Sequence, residues 1–147
     1  MAYRTITITS NQPPKEGIAS GTIYPGMLLE RTSAANTVKP HALDEGKVAG
    51  GLVAIEDALQ GNGIATAYTA TYRCFFRSFL PGDEVYARIA TGQNIAIGDR
   101  LTSNGSGYLK KMVNDSSSSD MDKSIFGTAL EAVNAVSAAS IGRVEVA

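Results

Sequence analysis

Turn signals recur along this chain at short intervals, and they limit it to short elements. Pro25-Gly26, Gly50-Gly51, Gly61-Asn62-Gly63, Pro81-Gly82-Asp83, Gly92-Gln93-Asn94, Gly98-Asp99 and Asn104-Gly105 each interrupt an apolar or alternating run. Glycine supplies backbone angles that other residues avoid, and proline withholds a ladder donor, so neither lets a regular element run long.

The runs between these signals alternate with the period of a strand. Tyr3 to Thr9 sets Ile6 and Ile8 on one side and Thr5, Thr7 and Thr9 on the other. Glu84 to Ala90 turns Val85, Ala87 and Ile89 inward and Tyr86 and Arg88 outward, and Ile95 and Ile97 repeat the inward parity within TGQNIAIGDRL, Thr91 to Leu101. Asn104-Gly105 predicts a hairpin whose returning strand is Tyr108 to Val113. Ile141 to Val146 opposes Val144 and Val146 to Arg143 and Glu145. Ile125 to Val133 fits a helix or a strand, and Gly127-Thr128 favours the strand. Asp57 to Ala70 has no clean period and reads as a long connection ordered in part by Ile64 and Tyr68, and Asn114 to Lys123 reads as an exposed, mobile loop. The sum, about eight to ten short strands, predicts an all-β fold, a barrel or sandwich.

A chain of 147 residues fits one domain with a core of its own. Asn11 to Gly17 contains Pro13-Pro14 and reads as a linker, so residues 1–17 are expected to form an extended N-terminal arm and residues 18–147 the body. Tyr72 to Leu80 carries apolar side chains on both faces and needs cover on both. Either a neighbouring subunit supplies one cover, placing Tyr72, Phe75, Phe76 and Phe79 at an oligomer interface, or the strand is central in its own body.

Signals for chemistry are sparse. Cys74 and His41 are the only residues of their types, too few for a disulfide or a zinc site, and Cys74 in an aromatic strand reads as an inert buried thiol rather than half of a dyad. Asp83-Glu84 and Asp99 sit beside turn glycines, where short carboxylates bond the local backbone. Asp44, Glu45, Glu56 and Asp57 lack the spacing of a calcium loop, so neither metal nor cofactor is expected. Thirteen basic against fourteen acidic residues, a formal charge of -1, give no reason to expect a nucleic-acid partner, and Lys110, Lys111 and Arg100 read as a solvated strand end. No window resembles a signal peptide or a membrane span, so synthesis in a cytoplasm is expected. The alternative to a purely structural role is a small-ligand or enzymatic barrel whose pocket gathers His41, Tyr68 and Asp99.

The order of the elements carries more. GTIYPGMLLE from Gly21, GGLVAIEDALQGNGI from Gly50, PGDEVYARIATGQNIAIGDRLTSNGSGYLK from Pro81, IFGTALEAV from Ile125 and the terminal IGRVEVA together resemble the head decoration, or cement, proteins of tailed bacteriophages. The resemblance implies a small β-barrel or β-tulip domain and no enzymatic activity. It implies a partner, the major capsid protein, bound on the outer surface of the virion by a homotrimer, with a homodimer as second choice. It further implies that the N-terminal arm adds a strand to the capsid protein, with Tyr3, Arg4, Ile6 and Ile8 as the contacting residues. The alternative is that Tyr3 to Thr9 pairs within its own barrel.

Overall fold

A computed structural model describes residues 5–113 and 124–147. Tyr3 and Arg4 of the arm and the serine-rich segment 114–123 lie outside the described residues.

The described residues are all-β, as the turn spacing predicts. Twelve strands follow in chain order: β1 (Lys15–Ala19), β2 (Leu29–Arg31), β3 (Thr37–Pro40), β4 (Leu52–Ala54), β5 (Arg73–Ser78), β6 (Glu84–Ile89), β7 (Gln93–Ile95), β8 (Arg100–Ser103), β9 (Leu109–Lys111), β10 (Gly127–Ala129), β11 (Val133–Ala135) and β12 (Ser140–Val146). Five of them close a barrel in the order β10-β12-β6-β9-β8, and five form an open sheet in the order β2-β3-β1-β5-β4. A two-stranded ribbon, β11-β7, completes the set. The ambiguous run Ile125 to Val133 is thus no helix: it holds β10, a bend at Leu130 and Glu131, and the first residue of β11.

Alternation in the sequence becomes inside and outside in the barrel. Val85, Ala87 and Ile89 of β6 are at most 1% exposed, and Val144 and Val146 of β12 lie beside them while Arg143 and Glu145 face out. These side chains join Leu101, Leu109, Phe126 and Ala129 in the larger of two cores. Burial of each such aliphatic group stabilises the fold by about 1.5–3 kcal/mol.

The open sheet explains the two-sided character of β5. Cys74 and Phe76 on one face enter a smaller core with Ala19, Leu29, Val38, Leu52 and Tyr68. Phe75 packs on the larger, barrel core, and so does Val53 of β4, whose register partner on β5 is Arg77. Both covers therefore come from this chain. Phe76 and Phe79, expected at an oligomer interface, are 1% and 2% exposed and are core residues.

The boundary expected between arm and body lies within regular structure. β1 begins at Lys15 and sits between β3 and β5 in the open sheet, so the boundary drawn at residue 17 falls inside a central strand. Ile97 departs from the predicted parity as well: it is 70% exposed, whereas Ile95 is buried. The chain has already turned there, because the Asp99 carboxylate accepts the Ala96 N–H at 2.8 Å and Gly98 takes a φ of 88°.

Candidate functional site

Thr5 to Thr9 lies along β6 of its own barrel. Ile6 is fully buried in the larger core, Thr7 bridges Val85, and Tyr86 donates its N–H to the Ile6 carbonyl at 2.9 Å. Ile8 and Thr9 both donate to the Glu84 carbonyl at 3.1 Å, while the Thr9 hydroxyl accepts the Glu84 N–H at 2.9 Å. A threonine side chain thus replaces a ladder partner, which stops the segment from continuing as a regular strand. Ile6 is no free anchor for a partner, since its side chain and backbone are engaged; Ile8 is half-buried.

His41, Tyr68 and Asp99 are not brought together. His41 is 2% exposed; its Nε2 lies 3.0 Å from the Lys47 carbonyl and its Nδ1 2.7 Å from the Ser103 hydroxyl. A carbonyl only accepts, so Nε2 carries the proton and Nδ1 accepts from Ser103. Glu30 stands 3.9 Å from Nε2, and the set Ser103, His41, Glu30 has the residue types of a nucleophilic triad. With Ser103 at 1% exposure, no substrate carbonyl reaches its hydroxyl, and the group acts as a polar clasp between β8 and the end of β3. Tyr68 donates its hydroxyl to the Ile55 carbonyl at 2.6 Å, and burial pushes that phenol well above its ordinary range. Burial likewise pushes the Cys74 thiol up to about 12, which leaves it protonated and inert at neutral pH.

Asp99 is a turn residue. Its carboxyl is held below the usual range, first by the Ala96 N–H and then by Lys111 at 3.1 Å, against the opposing effect of burial. Lys110 meets Asp44 at 2.8 Å and Glu45 at 3.4 Å, so the basic pair is matched to acids instead of forming a free positive end. A folded-state value below the unfolded one stabilises the fold above the unfolded carboxylate range, and that contribution is lost as pH falls through the folded value. Replacing Asp99→Asn should therefore cost about 0.5–1 kcal/mol at neutral pH. The gap from the parent, followed by thermal melting, should narrow as the pH falls below the ordinary carboxylate range and through the lowered value of the folded protein.

A surface concavity remains beside β5. It has a volume of about 580 Å³ and is lined in part by Asp57, Gln60, Thr69, Thr71, Tyr72 and Phe75, with neither His41 nor Asp99 in its wall. Asp57 caps a single 3-10 turn, Ala58–Gln60, by accepting the Gln60 N–H at 3.2 Å. The opposite wall is tied down by Thr71 N–H to the Ala19 carbonyl at 2.8 Å and Ala19 N–H to the Tyr72 carbonyl at 2.9 Å. Of the four aromatic residues expected to face a partner, Tyr72 and Phe75 are the accessible ones, Tyr72 at 67%. The polar residues of this wall escape a sequence reading because Asp57 to Ala70 has no period; the Asp57 cap before Gly61 is the one local signal.

No protein-family model matches this chain, and no curated protein sequence is similar to it. Among solved structures it is similar to the N base of head fiber gp8.5 of bacteriophage phi29, at 12% sequence identity and a TM-score of 0.58, over 92% of this chain and 94% of that one. At this identity the likeness is one of fold, and it extends along nearly the full length of both chains.

Proposed function

We propose that this chain is a non-enzymatic structural protein of a tailed-phage head, one that binds the outer capsid surface and stabilises the lattice of the major capsid protein. The observation that supports it best is the end-to-end likeness of fold to the base of a phage head fiber, which agrees in kind with the resemblance of the element order to head decoration proteins. The sealed Ser103-His41 pair and the inert Cys74 fit a role without covalent chemistry.

The mechanism is mechanical. An oligomer, a homotrimer on this reading, spans several capsid subunits, and its contacts must all break before the lattice opens. Symmetric repetition multiplies modest contacts into large avidity. With Thr5 to Thr9 held on β6, attachment falls to a face of the folded body and not to strand addition by that segment.

Co-sedimentation with expanded, undecorated heads of the phage that encodes the chain tests the reading. Saturable, stoichiometric binding and a higher melting temperature of the heads are expected; no binding overturns it. Sedimentation of the free protein at three chain masses is the accompanying expectation.

A further inference from the structure

We propose that the concavity beside β5 is a binding site for a neutral saccharide, an activity that does not rest on the capsid reading. Three observations converge on it.

The first is the chemistry of the lining. A sugar ring presents a rim of hydroxyls and a flatter face of C–H groups. The concavity offers hydrogen-bonding groups of several kinds, the Asp57 carboxylate, the Gln60 amide and the Thr69 and Thr71 hydroxyls, around the exposed ring of Tyr72 and the partly covered ring of Phe75. A broad aromatic face set among a few directed polar groups is the composition of a small-molecule site, and its volume lies within the usual range of about 300–1,000 Å³.

The second is electrostatic. Arg73 lies in the wall, but its guanidinium is already paired with Glu16 at 2.6 Å, so it supplies donors without a free positive charge. A phosphate ligand would lack a counter-charge there, and among the described residues no group of three or more His, Cys, Asp or Glu side chains is placed to hold a metal. What fits is a neutral ligand rich in hydroxyls.

The third is strain. Thr71 has a φ of 73°, a left-handed angle that a β-branched residue adopts only under strain. Core packing does not require it, because both Thr71 and Tyr72 are exposed. The backbone bonds to Ala19, with a further one from Tyr72 N–H to the Thr69 carbonyl at 3.1 Å, hold this geometry and fix the wall before any ligand arrives.

Saturation-transfer NMR on the full chain, with glucose, galactose, N-acetylglucosamine and their short oligomers as probes, tests the assignment. Transfer to the ring protons of at least one probe is expected, with a dissociation constant in the millimolar to high-micromolar range. Tyr72→Ala should weaken it by about tenfold or more, and Asp57→Asn or Gln60→Ala by a smaller factor. Tyr72 is a surface residue, so circular dichroism and melting of Tyr72→Ala should match the parent. No transfer to any probe overturns the proposal, as does transfer that survives both Tyr72→Ala and Asp57→Asn. A Tyr72→Ala protein that loses its oligomeric mass while sugar binding is absent or unchanged also overturns it, and assigns the concavity to a second copy of the chain.

Discussion

Ile6→Ala should lower the stability of the protein by about 2–5 kcal/mol, a large share of the roughly 5–15 kcal/mol that holds a domain together. The side chain is fully buried and meets Val85 and its neighbours in the larger core, so truncation leaves a cavity that β6 does not collapse to fill. Its backbone adds to the cost of any rearrangement. Ile6 N–H donates to the Glu56 carboxylate at 2.9 Å, and its carbonyl accepts from Tyr86, so the segment resists sliding. Ile8→Ala, two residues on and half-buried, should cost about 1 kcal/mol or less. Urea denaturation separates the two: the Ile6 variant should shift the midpoint with an unchanged slope. A shift below about 0.5 kcal/mol would mean that the segment is not part of the cooperative fold. If that variant also lost capsid binding, the reading of residues 5–9 as an arm offered to a partner would be restored.

The contrast between Ile6 and β6 shows where local pattern carries information. Val85, Ala87 and Ile89 are legible because a strand with one face in a core must alternate, and each neighbour in sequence confirms the next. Tyr3 to Thr9 alternates just as cleanly, but alternation says only that one face is covered. Whether the cover is this barrel or another protein depends on Glu84 and Glu56, some 50 to 80 residues away. The same gap affects Phe76 and Phe79. Two apolar faces on one strand demand two covers, and only the meeting of the open sheet with the barrel shows that one chain provides both.

The concavity was hidden for a different reason. Apart from Arg73 and Phe75 of β5 and the Ala58–Gln60 turn, its walls are irregular backbone, positioned by bonds such as Tyr68 N–H to the Ile23 carbonyl at 2.7 Å and Thr71 N–H to Ala19, and no periodicity reports such long-range ties. Ile97 shows the limit in miniature. A single carboxylate, Asp99, bends the chain one residue early, and the inward parity ends at Ile95.

Gly51→Ala should be as damaging as the loss of Ile6, and for a reason already written in the pair Gly50-Gly51. Both glycines have positive φ, 72° and 59°, so alanine at either costs about 1–2 kcal/mol of backbone strain. Around Gly50 the nearest atoms to a new Cβ are those of Leu52 at 3.7 Å, ordinary contact, and the penalty should end there. At Gly51 the new Cβ would be driven into the backbone carbonyl of Phe79, a group that does not rotate away. Phe79 also donates its N–H to the Gly51 carbonyl at 3.0 Å, so relieving the clash breaks that bond and shifts a ring that is 2% exposed in the larger core. The total should reach about 3–5 kcal/mol. Thermal or urea unfolding of the two single variants measures the difference directly. A Gly51 variant at least about 1.5 kcal/mol worse than its Gly50 counterpart would locate the requirement in the close approach of two backbones. Equal losses would leave the left-handed angle as the whole explanation.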